Sequence, residues 1–249
     1  MTIRLLFFLS LIAVFSCSKS RCPQPVLSDG SSSSNTVNKT INNTGTGILT
    51  ITVINADTLY TLTMQPDSDG IYTIINELQP TASYGQYPYL VAEAWTQNSD
   101  TSIQRSLIDF DYSSIPSGAT ITSAILTLYA DTSHEYSISG HLIYPNLTNT
   151  NNWYLSQVTS AWSMYIVNWN SQPSINTATR LTEPASTSPS EAYTIDVTNF
   201  VKQEIANPTA YYGFMLSLVS EEPSRAVYFY SCDGPYANLH PKMVIKYTK

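Results

Sequence analysis

The sequence is short of charge, of glycine and of cysteine. Asp, Glu, Lys and Arg make up 12% of its 249 residues, with 9 glycines and 3 cysteines. Sparse Lys and Glu remove the usual charged helix formers and turn the reading away from a mainly helical protein. The net charge of −7 supplies no basic footprint and excludes nucleic acid as a partner. No glycine loop has the form that cradles phosphate, and no Gly-x-Ser-x-Gly elbow exists. The histidines, His134, His141 and His240, form no His-Glu-x-x-His pattern and have no cysteine at zinc spacing. No catalytic constellation is therefore assigned. Beyond the N-terminus, no apolar run is long enough for a transmembrane helix.

What is present begins with Arg4 and the apolar run 5–15, followed at once by Ser16 and Cys17. The run has the length of a signal-peptide core and is short for a membrane span. Residues 14–17, Val-Phe-Ser-Cys, resemble a bacterial lipobox, in which the cysteine becomes the acylated first residue. An ordinary secretory signal cleaved nearby is the other reading, and both place the protein outside the cytoplasm. Residues 18–47 are rich in Ser, Asn, Thr and Gly, with four serines at 31–34. Such a stretch buries too little apolar surface to offset its ordering and reads as a flexible stalk. The expected division is signal and lipid-attachment Cys17 over 1–17, stalk over 18–47, and one folded domain over 48–249. Cys22 and Cys232 either pair in an oxidising compartment, or Cys232 packs alone as a small apolar residue.

Within 48–249, Thr, Ser, Asn and Tyr are abundant, with Tyr occurring 18 times. β-Branched and aromatic residues suit pleated, half-buried surfaces. Alternation predicts strands over 48–54, 59–65, 71–75, 89–94, 105–110, 119–130 and 137–144, and again over 193–197, 212–219, 226–231 and 242–247. A helical turn is expected over 157–162. A short helix is expected after Thr198 as N-cap, with Phe200, Val201 and Ile205 inward and Asn207-Pro208 as its stop. Many short strands separated by turns point to an all-β sandwich.

Several segments in order carry a family likeness. They are Asp69-Gly-Ile-Tyr-Thr-Ile, Thr81-Ala-Ser-Tyr-Gly, and above all the stretch 105–129, Arg-Ser-Leu-Ile-Asp-Phe-Asp-Tyr-Ser-Ser-Ile-Pro-Ser-Gly and onward. Val158-Thr-Ser-Ala-Trp, Asn168-Trp-Asn-Ser-Gln-Pro, Tyr193-Thr-Ile-Asp-Val, Tyr212-Gly-Phe and Pro241-Lys-Met-Val-Ile follow. Together they resemble the DNRLRE domain family of secreted and surface proteins, from about residue 62 to the C-terminus. The resemblance implies a jelly-roll-like antiparallel β-sandwich with one or two short helices. It also implies a role like that of carbohydrate-binding modules for acidic or other polysaccharides, or like that of adhesion-type surface proteins.

Two groups of residues are candidates for a site. Asp109 and Asp111 lie two apart and share a side of a regular strand. They suit calcium ligation or acid–base work, while Asp111 also suits a cap on the Ser113-Ser114 turn. Arg105 is expected to pair with one of these acids. The aromatics form the second group: Tyr84, Tyr87, Tyr89 and Trp95 around one loop, and Tyr211, Tyr228, Tyr230 and Tyr236 near the C-terminus. Exposed rings stack on sugar faces. If Val227 and Phe229 face the core, Tyr228 and Tyr230 face solvent, which nominates them with Tyr84 and Tyr87 as ligand-binding rings. Trp153, Trp162 and Trp169 are read as core or loop anchors.

The combined expectation is a non-catalytic glycan-binding sandwich on a lipoprotein of the cell envelope, at the outer membrane or cell surface. The alternative is a structural or adhesion module that contacts protein partners there. A polysaccharide lyase would need Tyr, His and Arg gathered in one cleft.

Overall fold

A computed structural model of the chain describes residues 39–43, 47–54, 57–133, 141 and 150–249, all within the unit Ser34–Lys249. Cys17, Cys22, the stalk up to residue 38, His134 and most of the strand expected over 137–144 lie outside the described residues. The strands are β1 Lys39–Asn43, β2 Gly47–Ile54, β3 Asp57–Met64, β4 Ile71–Asn76, β5 Tyr89–Gln97, β6 Asp100–Asp109 and β7 Thr120–Leu128. After them come β8 Trp153–Gln157, β9 Leu181–Glu183, β10 Tyr193–Asp196, β11 Phe214–Leu218, β12 Arg225–Tyr230 and β13 Lys242–Thr248. One helix, α1, spans Thr198–Ala206, and single 3-10 turns occur at Trp169–Ser171 and Ala237–Leu239.

These strands make two antiparallel sheets. The first has the order β1-β2-β3-β13-β7-β10. The second has the order β12-β5-β6-β11-β8-β9, with β4 also paired to β6. The hairpin β2–β3 belongs to the first sheet because β3 pairs along β13, with Leu62 opposite Ile245. The all-β sandwich expected from the sequence is the fold observed, with one α-helix among the described residues.

The first sheet has one buried face. Met64 on β3, Leu126 on β7 and Ile245 on β13 point inward, and Tyr60 stacks on Tyr247 with centroids 5.1 Å apart. Along β7, Ile121 and Ala124 are both buried although three positions apart, which a regular strand forbids. A bulge resolves this: Lys246 pairs with Ser123 and Tyr247 with Ile121, so Thr122 is the extra residue. Its hydroxyl bonds the Lys246 carbonyl at 3.0 Å. The second sheet supplies the other half of the core: Ile108, Phe214, Leu216, Val227, Phe229 and Trp153. Each fully buried side chain of this size contributes roughly 1.5–3 kcal/mol.

Two local expectations are corrected. Thr198 is the first residue of α1 and not its N-cap; Val197 holds that place without a side-chain bond. The Thr198 hydroxyl instead accepts from the Ala124 N–H at 2.9 Å and donates to Asp196 at 2.5 Å, tying α1 to β7 and β10. Residues 157–162 form no helical turn. Gln157 ends β8, and Val158 exchanges backbone bonds with Gly213 and Tyr212 at 2.9 and 3.0 Å. Strand pairing there overrides the local pattern. Phe200 and Val201 face inward as expected, while buried Glu204 accepts from the Gly213 N–H at 3.2 Å.

Gly213 sits at φ +77°, and a Cβ there would lie 2.4 Å from the Ile108 carbonyl oxygen. Gly213→Ala is expected to cost more than about 2 kcal/mol, from strain and clash together. Urea unfolding measures it, and an unshifted midpoint would contradict the close approach.

Candidate functional site

The second sheet is buried on its outer side as well, and two loops cover it. The first, over 77–88, is closed by local bonds: Leu78 N–H to Asn76 Oδ1 at 2.9 Å and Ala82 N–H to the Gln79 carbonyl at 2.9 Å. Beneath it, Ile74, Tyr89, Val91, Ala226 and Tyr228 form a small apolar cluster, with Tyr84 and Tyr87 packed on top. The rings meet edge to face in a chain. Tyr84–Tyr87 centroids are 5.4 Å apart, Tyr87–Tyr89 4.8 Å, and Tyr89–Tyr228 5.5 Å. At the surface end, Tyr84 and Tyr87 remain partly exposed, and the Tyr84 hydroxyl donates to Gln79 Oε1 at 3.0 Å. At the inner end, the Tyr228 hydroxyl donates to buried Glu93, whose other oxygen accepts from Gln104 Nε2 at 2.8 Å. Burial, then the Glu93 charge, pushes the Tyr228 phenol up, so it stays a donor.

The second loop, over 159–177, covers Ile75, Leu107, Val158 and Met215, with its own Val167 packed among them. The Trp162 indole N–H bonds the Tyr212 carbonyl at 2.9 Å. Asn168 and Ser171 form a reciprocal capping box, each bond 3.1 Å. Beside this turn the Arg105 guanidinium lies 4.6 Å from the Trp169 ring centroid. Its Nε and one terminal nitrogen donate to the two Glu221 oxygens, both at 2.7 Å, and the other terminal nitrogen donates to Gln172 Oε1 at 2.6 Å. The loops are joined: the Asn170 N–H donates to the Pro80 carbonyl at 3.0 Å.

The rings nominated from the sequence divide here. Tyr84 and Tyr87 reach the surface, and Tyr228 lies in the same cluster but inside. Tyr228 is 6% exposed and Tyr230 2%, which corrects the expectation that both face solvent. Val227 and Phe229 do face the core, yet the opposite side of β12 is covered too, by Tyr89 on Tyr228 and by Tyr236 edge-on to Tyr230. Arg105 pairs with Glu221, not with Asp109 or Asp111. The Asp111 carboxylate accepts from the Ser113 N–H at 2.9 Å, the turn cap weighed for it, and Asp109 accepts from the Phe110 N–H at 2.8 Å. With Asp69 these two border a cavity of about 30 Å³. No group of three His, Cys, Asp or Glu among the described residues is arranged to hold a metal ion.

Other reactive groups are enclosed. Burial and the adjacent Asp233 push the Cys232 thiol up to about 12, so it is not a thiolate. His240 places its ring nitrogens 3.1 Å from the Pro66 carbonyl and 2.8 Å from that of Gly234, joining two loops. Trp153 is fully buried in the main core. A cleft of about 750 Å³ beside α1 is lined by Thr122, Asp196, Lys202 and Gln203 among others, with no Tyr, His or Arg. Sequence reasoning missed two exposed side chains, Tyr165 at 68% and Ile166 at 71%.

An all-β sandwich that sets half-exposed rings beside a planar array of charged and amide groups has the features of a binding module, with surfaces for stacking and for hydrogen bonding. Residues 61–247 match carbohydrate-binding module family 96, and the chain belongs to that family. No curated protein matches the chain.

His141 braces the inner end of the ring chain. Its Nδ1 accepts from the Tyr228 N–H at 3.1 Å and its Nε2 faces the Glu191 carbonyl at 2.8 Å, which requires the neutral ring protonated on Nε2. Burial lowers its pKa below 6.5. The unfolded chain therefore takes up a proton first as pH falls. The stabilisation is whole above about pH 6.5 and is lost as pH drops through the folded value. His141→Gln is expected to flatten that part of the urea-midpoint profile. Parallel profiles for both proteins would refute the assignment.

Proposed function

We propose that this chain is an exported, lipid-anchored module that binds glycan chains and performs no chemistry on them. The observation that carries the reading is the pair Tyr84 and Tyr87, half-exposed rings seated on a buried aromatic cluster in a member of a carbohydrate-binding family. A ring fixed by its neighbours loses little freedom when a sugar stacks on it. The likeness of residues 105–129 to the DNRLRE family supports the same role. The run 5–15 with Cys17 supports a lipid anchor at the cell envelope, and the composition of residues 18–38 supports a stalk ahead of the module; the expected stalk end at 47 is too late, because Lys39–Asn43 is β1 of the first sheet. Among the described residues no helix is long and apolar enough to cross a membrane.

A second reading is an adhesion module for a protein partner in the envelope. Tyr165 and Ile166, exposed side by side on the loop over 159–177, favour it.

Calorimetric titration against a panel of neutral and acidic polysaccharides, with and without calcium, tests the glycan reading. Tyr84→Ala and Tyr87→Ala are each expected to weaken binding about tenfold, roughly the worth of one stacked ring. Absence of binding across the panel in both conditions counts against a glycan role and leaves the adhesion reading. Anchoring has its own check: Cys17→Ser is expected to move the protein from the membrane pellet to the soluble fraction of expressing cells. An unchanged pellet would overturn the lipid.

A further inference from the structure

We infer that the glycan face is longer than the Tyr84–Tyr87 pair, and that Arg105, Trp169, Gln172 and Glu221 form a second subsite on it for the adjacent ring hydroxyls of a sugar farther along the same chain. The inference rests on the glycan reading above.

Continuity is the first support. Tyr84 bonds Gln79, the next residue is Pro80, and the Pro80 carbonyl accepts from Asn170, which adjoins Trp169. Below this path β4 pairs with β6, placing Ile75 opposite Arg105. Ile74, the residue before it, turns to the other face of β4 and underlies the rings, so the rings and the ion pair stand on either side of β4 and are joined through the contact of their two loops.

The bonding capacity left over is the second. A guanidinium has five N–H groups, and Arg105 uses three of them. The Glu221 carboxylate uses one acceptor position on each oxygen, and Gln172 Nε2 spends one hydrogen on the Trp169 carbonyl at 3.1 Å. Donors and acceptors thus remain side by side. Two neighbouring hydroxyls on a sugar ring need that combination, since each both donates and accepts. The Arg105 and Glu221 side chains are 22% and 23% exposed, so these positions reach solvent.

Preorganisation is the third. The bidentate Glu221 pair, the Gln172 amide and the Trp169 ring hold the guanidinium plane in one orientation, so its remaining N–H groups lose little freedom when a ligand binds. Because Glu221 neutralises Arg105, the subsite reads hydroxyls whether the sugar is neutral or a uronate.

The test uses oligosaccharide ladders from disaccharide to hexasaccharide, a neutral set of cello-, xylo- and manno-oligosaccharides and a separate set of oligogalacturonates, each titrated by calorimetry. In a ladder the wild type binds, affinity is expected to rise about tenfold or more with length. Gln172→Ala and Glu221→Gln are each expected to abolish that rise while leaving the affinity of the shortest bound oligosaccharide unchanged. Thermal unfolding run beside them confirms folded variants; Glu221→Gln keeps the side-chain shape and serves where Gln172→Ala does not fold. Affinity independent of length, or a rise that survives both substitutions, overturns the second subsite and leaves the ring site standing. No binding of any ladder or polysaccharide overturns both.

Discussion

Along β5, β11 and β12 the second sheet has no wet face. β11 and β12 are buried end to end and β5 over residues 89–94, on the side toward the first sheet and on the side away from it. Water on the outer side would meet Val91, Leu107 and Met215, none of which offers a hydrogen bond. The sheet therefore requires cover, and the chain supplies it in the loops over 77–88 and 159–177. Much of the remaining surface chemistry follows from that requirement.

A loop that must lie on an apolar sheet brings its own backbone polar groups with it, and those need partners. The loop over 159–177 meets the need with the Asn168–Ser171 capping box and the Trp162–Tyr212 bond. The loop over 77–88 uses Asn76 and Gln79. Once satisfied, both segments are fixed in place. Side chains that only half fit beneath them, Tyr84, Tyr87 and Trp169, are left as anchored rings with an edge or face toward solvent. Stiff, partly exposed aromatic groups are thus a by-product of covering the sheet, and they suit recognition of a ligand with flat apolar faces and many hydroxyls.

The same two-sided burial explains where the sequence was legible and where it was not. Strands of the first sheet have one polar face, and their alternation was readable: Thr127 and Lys242 sit outward on strands whose Leu126 and Met243 are core. On β12 the run Ala-Val-Tyr-Phe-Tyr is continuously apolar, which signals a strand buried on both sides. Reading it as an alternating strand placed Tyr228 and Tyr230 in solvent. The helical turn expected over 157–162 failed because Val158 is claimed by Gly213 and Tyr212, more than fifty residues away in sequence. Glu221, the partner of Arg105, is 116 positions distant and no local pattern points to it. The capping box at Asn168 was visible in principle, since Asn followed three residues later by Ser suits an exchange of side-chain bonds with the backbone. The sandwich implied by the family likeness along 105–129 is the fold class observed, but that likeness said nothing of where the rings lie.

The two sheets differ in what lies on their outer sides, and the difference bears on orientation. The outward residues of the first sheet, Thr61, Thr63, Thr127 and Lys246, are partly or fully exposed and polar. Thr122 has its bulge to bond. Such a face is satisfied by water, and among its described residues Tyr129 lies beside Lys242. The second sheet carries Tyr84, Tyr87, Trp169 and the Arg105–Glu221 pair beneath and beside its two covering loops. A flat ligand that stacks on these rings therefore approaches the second sheet and its covering loops, not the Thr- and Lys-lined face of the first sheet.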